Sequence, residues 1–349
     1  MYEYIAAIHI HSLYSDGTGK VEEIAKTASE MGIDFIFLTD HNTLRAKKDG
    51  YQKWFKNTLV IVGCEINDKT NKNHYLAFGI DETPSTRLPA NKYVEEIKNA
   101  GGIGFIAHPF EERSSMKEHP PYPWTDWSTK DFNGIEIWNH MSEWMEGLTE
   151  ANKYNYFIHP LRSIKAPTKK ALRMWDKLNL ERKVVGIGGL DAHAHKVNLL
   201  GFFEFELFPY KVLFKSIRTH IFLENKIEKE NTPEKINKTC ANVLSALSNG
   251  RCFIANYYHG DAKGFRFFAE DGKKIYLMGD SVKLSNKLKL RVLLPNASAD
   301  INLIHNGKKV SELNNCEAEF PIKKEGVYRI EVYLENNAWI FSNHIKVTL

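Results

Sequence analysis

Cysteine is scarce in this chain. Cys64, Cys240, Cys252 and Cys316 are the only four in 349 residues, and no two of them form a CxxC pair. That scatter argues against a zinc knuckle and against a disulfide framework, and it fits a reduced, cytoplasmic setting. Long apolar runs are missing too. No stretch approaches the ~20 residues of a membrane span, so no membrane partner is expected. The opening MYEYIAAIHIHS has no basic segment leading into an apolar one, hence no visible secretory signal. Charge of one sign is also in short supply. A net charge of +4 is too mild to argue for nucleic acid by electrostatics alone, although a local field for a phosphate remains open. There is no internal repeat and no low-complexity tract.

Hydrophobic residues make up 43% of the chain, enough for a globular core. Over roughly the first 250 residues, short β-rich runs alternate with helical patterns. Tyr4 to Ile8, Asp34 to Leu38, Leu59 to Val62, Tyr75 to Phe78, Ile103 to Ala107, Gly134 to Trp138 and Lys183 to Ile187 read as strands. Helices are expected after Val21, over Leu44 to Phe55, from Asn91 to Gly101, over Thr168 to Leu180 and over Pro233 to Ser248. This alternation predicts a parallel α/β sheet or barrel. The helical period disappears near Asn256, and eight short strands follow, separated by turns such as DGKK and NGKK. They predict a small β-sandwich over 256–349, after an α/β domain over 1–255.

Chemistry concentrates at the strand ends. The first strand runs into His9 and His11, with Asp16 just beyond, and residues two apart in an extended chain face one way. The second ends in Asp40-His41, the third in Glu65, the fifth in His108 and the sixth in His140, while the fourth is entered through His74. The seventh is followed by Asp191, His193 and His195. A β/α barrel places its active site at the C-terminal ends of its strands. Imidazole and carboxylate together suit Zn, Mn or Fe. The set is too large for one ion, so two or three divalent ions are expected, with Glu65 as candidate bridge. Asp40 is read as orienting a ligand or capping a turn. His119, His159, His220, His259, His305 and His344 read as ordinary surface or core histidines.

These residues also form a signature. HIHSLYSDG at 9–17, TDHN at 39–42, GCE at 63–65, AHP at 107–109 and GLDAH at 189–193 resemble the polymerase-and-histidinol-phosphatase (PHP) superfamily, motif by motif and in family order. The resemblance covers about residues 1–250. It implies a distorted seven-stranded β/α barrel with a trinuclear metal site. Carried over, one ion would take His9, His11, Glu65 and Asp191, a second Glu65, His74 and His108, and a third Asp16, His41 and His193. The barrel with a small β-domain behind it further resembles the carbaryl-hydrolase-like subgroup, as does WIFSNHIKV at 339–347, where members often carry Pro in place of His344.

The expected function is hydrolysis of a small-molecule or nucleotide phosphoester by a metal-bound hydroxide. His195 and His140 are candidates for proton delivery, and Arg113 and Lys20 for charge near the substrate. Carboxyl-ester or amide hydrolysis at the same metals is the alternative, and a non-catalytic, metal-stabilised binding protein is the second alternative. A homo-oligomer is left open. The aromatics of Pro120 to Trp124, with Trp127, Trp138 and Trp144, either pack a long loop or wall a substrate pocket.

Overall fold

The computed structural model describes residues 1–113, 120–199, 203–295 and 298–349. Strand β1 (Tyr2–Ile10) lies in the middle of a large sheet. It runs parallel to β2 (Phe35–Leu38), which runs parallel to β3 (Thr58–Val62). At Gly63 the chain bends into β4 (Cys64–Ile66). A Cβ there would lie 2.3 Å from the Ala77 carbonyl oxygen, so only glycine permits the approach. A second sheet continues through β5 (Tyr75–Phe78), β6 (Ile103–Ile106), β7 (Gly134–Asn139) and β8 (Val185–Gly189).

Two seams join the sheets. Leu190 N–H donates to Ile8 O and His11 N–H to Ala192 O, each at 2.9 Å. On the other side Gly63 N–H donates to Leu38 O at 2.8 Å and Glu65 N–H to Thr39 O at 3.1 Å. With β3 and β4 taken as one bent strand, seven strands thus form a distorted barrel. β5 is antiparallel to both neighbours, unlike the other barrel strands. Two further strands, β9 (Ile217–Leu223) and β10 (Cys252–Asn256), extend the first sheet beyond β1.

The helices follow from their apolar spacing and caps. Val21–Glu30 buries Val21, Ile24, Ala25 and Ala28, one stripe at helical period. Lys169–Glu181 starts where Thr168 accepts from Ala171 N–H, and Pro233–Ser248 where Thr232 accepts from Lys235 N–H. The helix expected over Leu44 to Phe55 is corrected. It lasts only from Arg45 to Lys48, Gly50 follows at φ +81°, and Trp54–Phe55 turns back on Thr58–Leu59 as a hairpin. The sequence reading also missed β4, β9, β10, the hairpin Lys196–Leu199 with Phe203–Glu206, and the helices His140–Gly147 and Lys153–Ile158. No helix among the described residues is long and apolar enough to cross a membrane.

Past β10 the described residues form ten strands rather than eight; Lys274–Leu277 and Lys308–Asn315 are the additions. Four of them make a separate sheet in the order 274–277, 266–271, 288–293, 317–321. It shares an apolar core, including Phe267, Leu290, Val292, Ile301, Ile330 and Trp339, with the remaining strands. Those strands belong to the large sheet. Asn337–Ser342 pairs with β10, Phe253 opposite Ser342 and Ala255 opposite Ile340. One hydrogen-bonded ladder therefore runs from the barrel into the C-terminal part. A buried ion network crosses the same region: Asp176 accepts from Arg329 Nε at 2.7 Å and Nη2 at 2.8 Å, and lies 2.8 Å from His344 Nε2.

Candidate metal centre

Glu65 is the centre of the polar end of the barrel. It is 1% exposed. Its Oε2 lies 3.2 Å from His9 Nε2, 3.3 Å from His11 Nε2 and 3.4 Å from His41 Nδ1. Its Oε1 lies 2.8 Å from His74 Nδ1 and 3.2 Å from His108 Nε2. Asp191 Oδ1 stands 3.4 Å from both His9 Nε2 and His11 Nε2. Asp16 faces His193 at 3.3 Å and His11 and His41 at 3.5 Å each. The donor atoms form three sets, each within 4.8 Å: His9, His11, Glu65 and Asp191; His11, Asp16, His41 and His193; and His41, Glu65 and His74. All nine residues named from the sequence are gathered here. Within the third set His41 stands where the motif carry-over places His108.

Local backbone explains the convergence. His9 has φ +67° and the β1–β2 register shifts between Ala7 and Ile10, so His9 and His11 meet across a bulge rather than along a regular strand. Asp191 has φ +54° and His108 φ +24°. Non-glycine residues in this region are uncommon and collect at functional sites. His74 precedes its strand because β5 runs opposite to its neighbours, which brings the start of β5 to the rim where the other strands end. Asp40 accepts from Ser12 N–H at 2.7 Å and from the hydroxyls of Ser12 and Ser15 at 2.8 Å, and so fixes the loop that carries Asp16.

Glu136 was not singled out from the sequence. It is buried in β7, 3.0 Å from His9 Nδ1, and accepts from His108 N–H and Asn139 Nδ2 at 2.8 Å. A carboxylate on the second nitrogen of a ligating imidazole fixes its tautomer and raises its basicity. The signal was a lone acid in the apolar run GIEIWN. Gly189 serves the same contact, since a Cβ there would strike Glu136 Oε1.

Two observations test whether cations fit. Buried ring nitrogens on four of these histidines, His9 Nε2, both of His11, His74 Nε2 and His108 Nδ1, have no hydrogen-bond partner in the protein. Orphaned polar atoms in a packed interior are costly. The field points the same way. Burial pushes His9 down, but Asp191, Glu65 and Glu136 outweigh it and hold the ring well above its ordinary range. Against burial, Glu65 and Asp16 lift His41 to about 9, and Glu111 and Glu65 lift His108 to about 9. His74 is instead pushed down, burial outweighing Glu65. Burial also fails to raise Glu65 and Asp191, which surrounding imidazoles hold well below the carboxylate range. Nitrogen and oxygen donors around buried carboxylates suit divalent transition ions.

The centre opens into a cleft of about 500 Å³. Arg113 and His195 line it. Arg113 is tied to Glu111 at 3.2 Å and lies 5.2 Å over the Tyr122 ring, which stacks on His74. His195 stacks on His193 at 4.9 Å. His140 does not line the cleft; it is buried against Ser216 Oγ at 2.8 Å, and burial lowers it to about 3. Lys20 is exposed just before the first helix. Of the aromatics, Tyr122 and Trp144 reach the cleft. Trp124 packs on Tyr75, Trp127 on Phe110 and Trp138 on Phe341. Of the histidines read as ordinary, His119 falls outside the described residues, and none of the other five lines the cleft.

Residues 7–158 match the family model of the PHP domain. An uncharacterized protein of Methanocaldococcus jannaschii is 33% identical over 119 residues, which are 30% of this chain and 67% of that protein. Among solved structures, a two-domain Bacteroides vulgatus protein containing a predicted PHP-like metal-dependent phosphoesterase is 15% identical, with a TM-score of 0.45 over 98% of this chain and 95% of that one. An amidohydrolase from Chromobacterium violaceum is 13% identical, with a TM-score of 0.34 over 54% and 87%. Family model and motif order agree: the chain belongs to the PHP domain family.

Proposed function

We propose that this chain is a metal-dependent hydrolase of small phosphoesters, working with two or three Zn, Mn or Fe ions. The observation that carries the reading is the donor set around Glu65 and Asp191, opening into a cleft that Arg113 also lines. Divalent ions held by these donors supply water activation near neutral pH and neutralise charge on phosphoryl oxygens. The chain does the rest. His9, His11 and Glu65 are buried, whereas the side chains of Asp16 and His41 are 51% and 26% exposed, so the side of the centre held by Asp16, His41 and His193 faces substrate. Arg113, held by Glu111 and Tyr122, offers a planar cation to an anionic ester. His195, which lines the cleft, would give a proton to the leaving oxygen. His140 is unsuited to that task, being neutral and turned toward Ser216.

Carboxyl-ester or amide hydrolysis is the second reading, and the apolar part of the cleft favours it, because an uncharged ester seats there without a counter-charge. Metal-reconstituted protein assayed on nitrophenyl phosphate, bis-nitrophenyl phosphate and nitrophenyl acetate separates the two. Turnover of either phosphate ester, lost on chelation and restored by metal, is the expected result. Turnover of the acetate alone would sink the phosphoester reading.

A further inference from the structure

The cleft is chemically two-sided. Its donors come from the barrel rim, but three other segments build a continuous apolar wall: Met141, Trp144 and Met145 from the helix at 140–147, Phe157 from the helix at 153–158, and Leu207-Phe208 after the hairpin. The Trp144 ring stands 4.6 Å from Phe208 and 5.1 Å from Phe157, edge to face in both cases. Phe157, Leu207 and Phe208 also line a neighbouring hollow of about 460 Å³, so they partition two spaces. Phe208 has φ +57°. A bulky side chain in this region is a genuine outlier, tolerated where its placement has a use. Glycine or asparagine would make the same turn without strain, but neither would put a ring beside Trp144.

We propose that the alcohol part of the substrate carries an apolar aromatic ring, which seats against Met141, Phe157 and Leu207, with Trp144 and Phe208 packed behind them, while the phosphoryl group faces the donor cluster. This deepens the phosphoester reading and rests on it. A cleft of this volume holds a ligand well beyond a phosphate group. Rings prefer offset or edge-on contact with such a wall, and thioethers add polarizable contact. Met, Phe and Leu side chains offer no hydrogen bonds to the edge of a nucleobase or to sugar hydroxyls, so those bodies gain less at this wall; Asn42, Asn67 and Asn71 line other parts of the cleft. In the reaction, the water oxygen bonds to phosphorus, the ester P–O bond breaks, and the alcohol oxygen takes up the proton that water gives up.

The test uses the metal-reconstituted full chain with 2-phenylethyl phosphate, n-butyl phosphate and a nucleoside monophosphate. The first two share an alkyl leaving oxygen and differ in the body behind it. The phenylethyl ester is expected to show a kcat/KM about tenfold or more above butyl phosphate and the nucleotide, a difference typical of one well-seated ring. Phe157→Ala, a half-buried site, is expected to reduce that preference, with circular dichroism unchanged and Phe157→Leu restoring part of it. Equal kcat/KM for the first two esters, preference for the nucleotide, or equal loss on all three in Phe157→Ala would overturn the proposal. If no phosphate ester turns over, the phosphoester reading fails by itself. The wall is then judged on 2-phenylethyl and butyl acetate, where no aromatic preference, or no turnover, overturns it too.

Discussion

Glu136 sets what a single residue contributes without meeting substrate. Its contact with His9 Nδ1 leaves Nε2 to face Glu65 and Asp191, and its other oxygen holds the His108 backbone. Changing Glu136 to Gln keeps the volume and removes the charge. Metal affinity is expected to fall about 10- to 100-fold, with a native circular dichroism spectrum. Metal titration followed by calorimetry checks this, and an unchanged affinity would remove Glu136 from the centre. A second comparison concerns depth. His193→Ala is expected to lose about one equivalent of metal and most of kcat with a modest fall in Tm, because His193 stands at the open side with Asp16. His11→Ala, fully buried between Glu65 and Asp191, is expected to lose more metal and more stability. The reverse order, by metal counting and melting, would show that His193 rather than His11 lies at the heart of the centre. All nine side chains gathered at the rim were legible in the sequence as candidates because each stands at or near a strand end, where polar residues break an apolar run. Glu136 was not, because it lies inside a strand and its partner is 127 residues away.

Among the elements, the antiparallel β5 shows what pattern could and could not give. Its run of apolar residues marked a strand, but direction is set by partners, and nothing local in YLAF states it. The helix misread over Leu44 to Phe55 fails for a related reason. Gly50 and the turn at Lys56-Asn57 make Trp54–Phe55 a hairpin arm whose partner lies only a few residues on. The helix Lys169–Glu181 carries a consequence for acid stability. Burial raises Asp176, but Arg329 and His344 outweigh it and bring the carboxyl from 3.8 to about 2. A carboxyl whose folded pKa lies below its unfolded one adds stability above the unfolded value and loses it as pH falls through the folded one. The Asp176 carboxylate is thus expected to contribute about 2 kcal/mol at pH 5 and above, fading between about pH 4 and 2. Melting curves of the wild type and Asp176→Asn should converge over that window. A gap independent of pH would show that the carboxylate charge is not what the fold uses.

At the scale of the whole molecule, the change of pattern near Asn256 suggested two units, and the ladder between β10 and Asn337–Ser342 ties them into one sheet. The sequence change is real, since helices stop there, but a composition shift carries no information on which strands pair across it. Asn343 adds to the tie, with its side chain bonding both backbone groups of Gly186 in β8 and the Cys252 carbonyl. We expect the full chain to melt in one transition, and a fragment of residues 1–256 to aggregate, because β10 would present a bare edge. Scanning calorimetry and gel filtration check both; a monomeric, metal-binding fragment would show that the shared sheet is dispensable. The same ladder has a bearing on how the chain is made. A ribosome delivers the barrel strands first, and the β10 edge then waits while the whole C-terminal part is still being translated. It is covered only once Ser342 has cleared the exit tunnel, so a stalled or prematurely released chain is the form of this protein that most needs a chaperone.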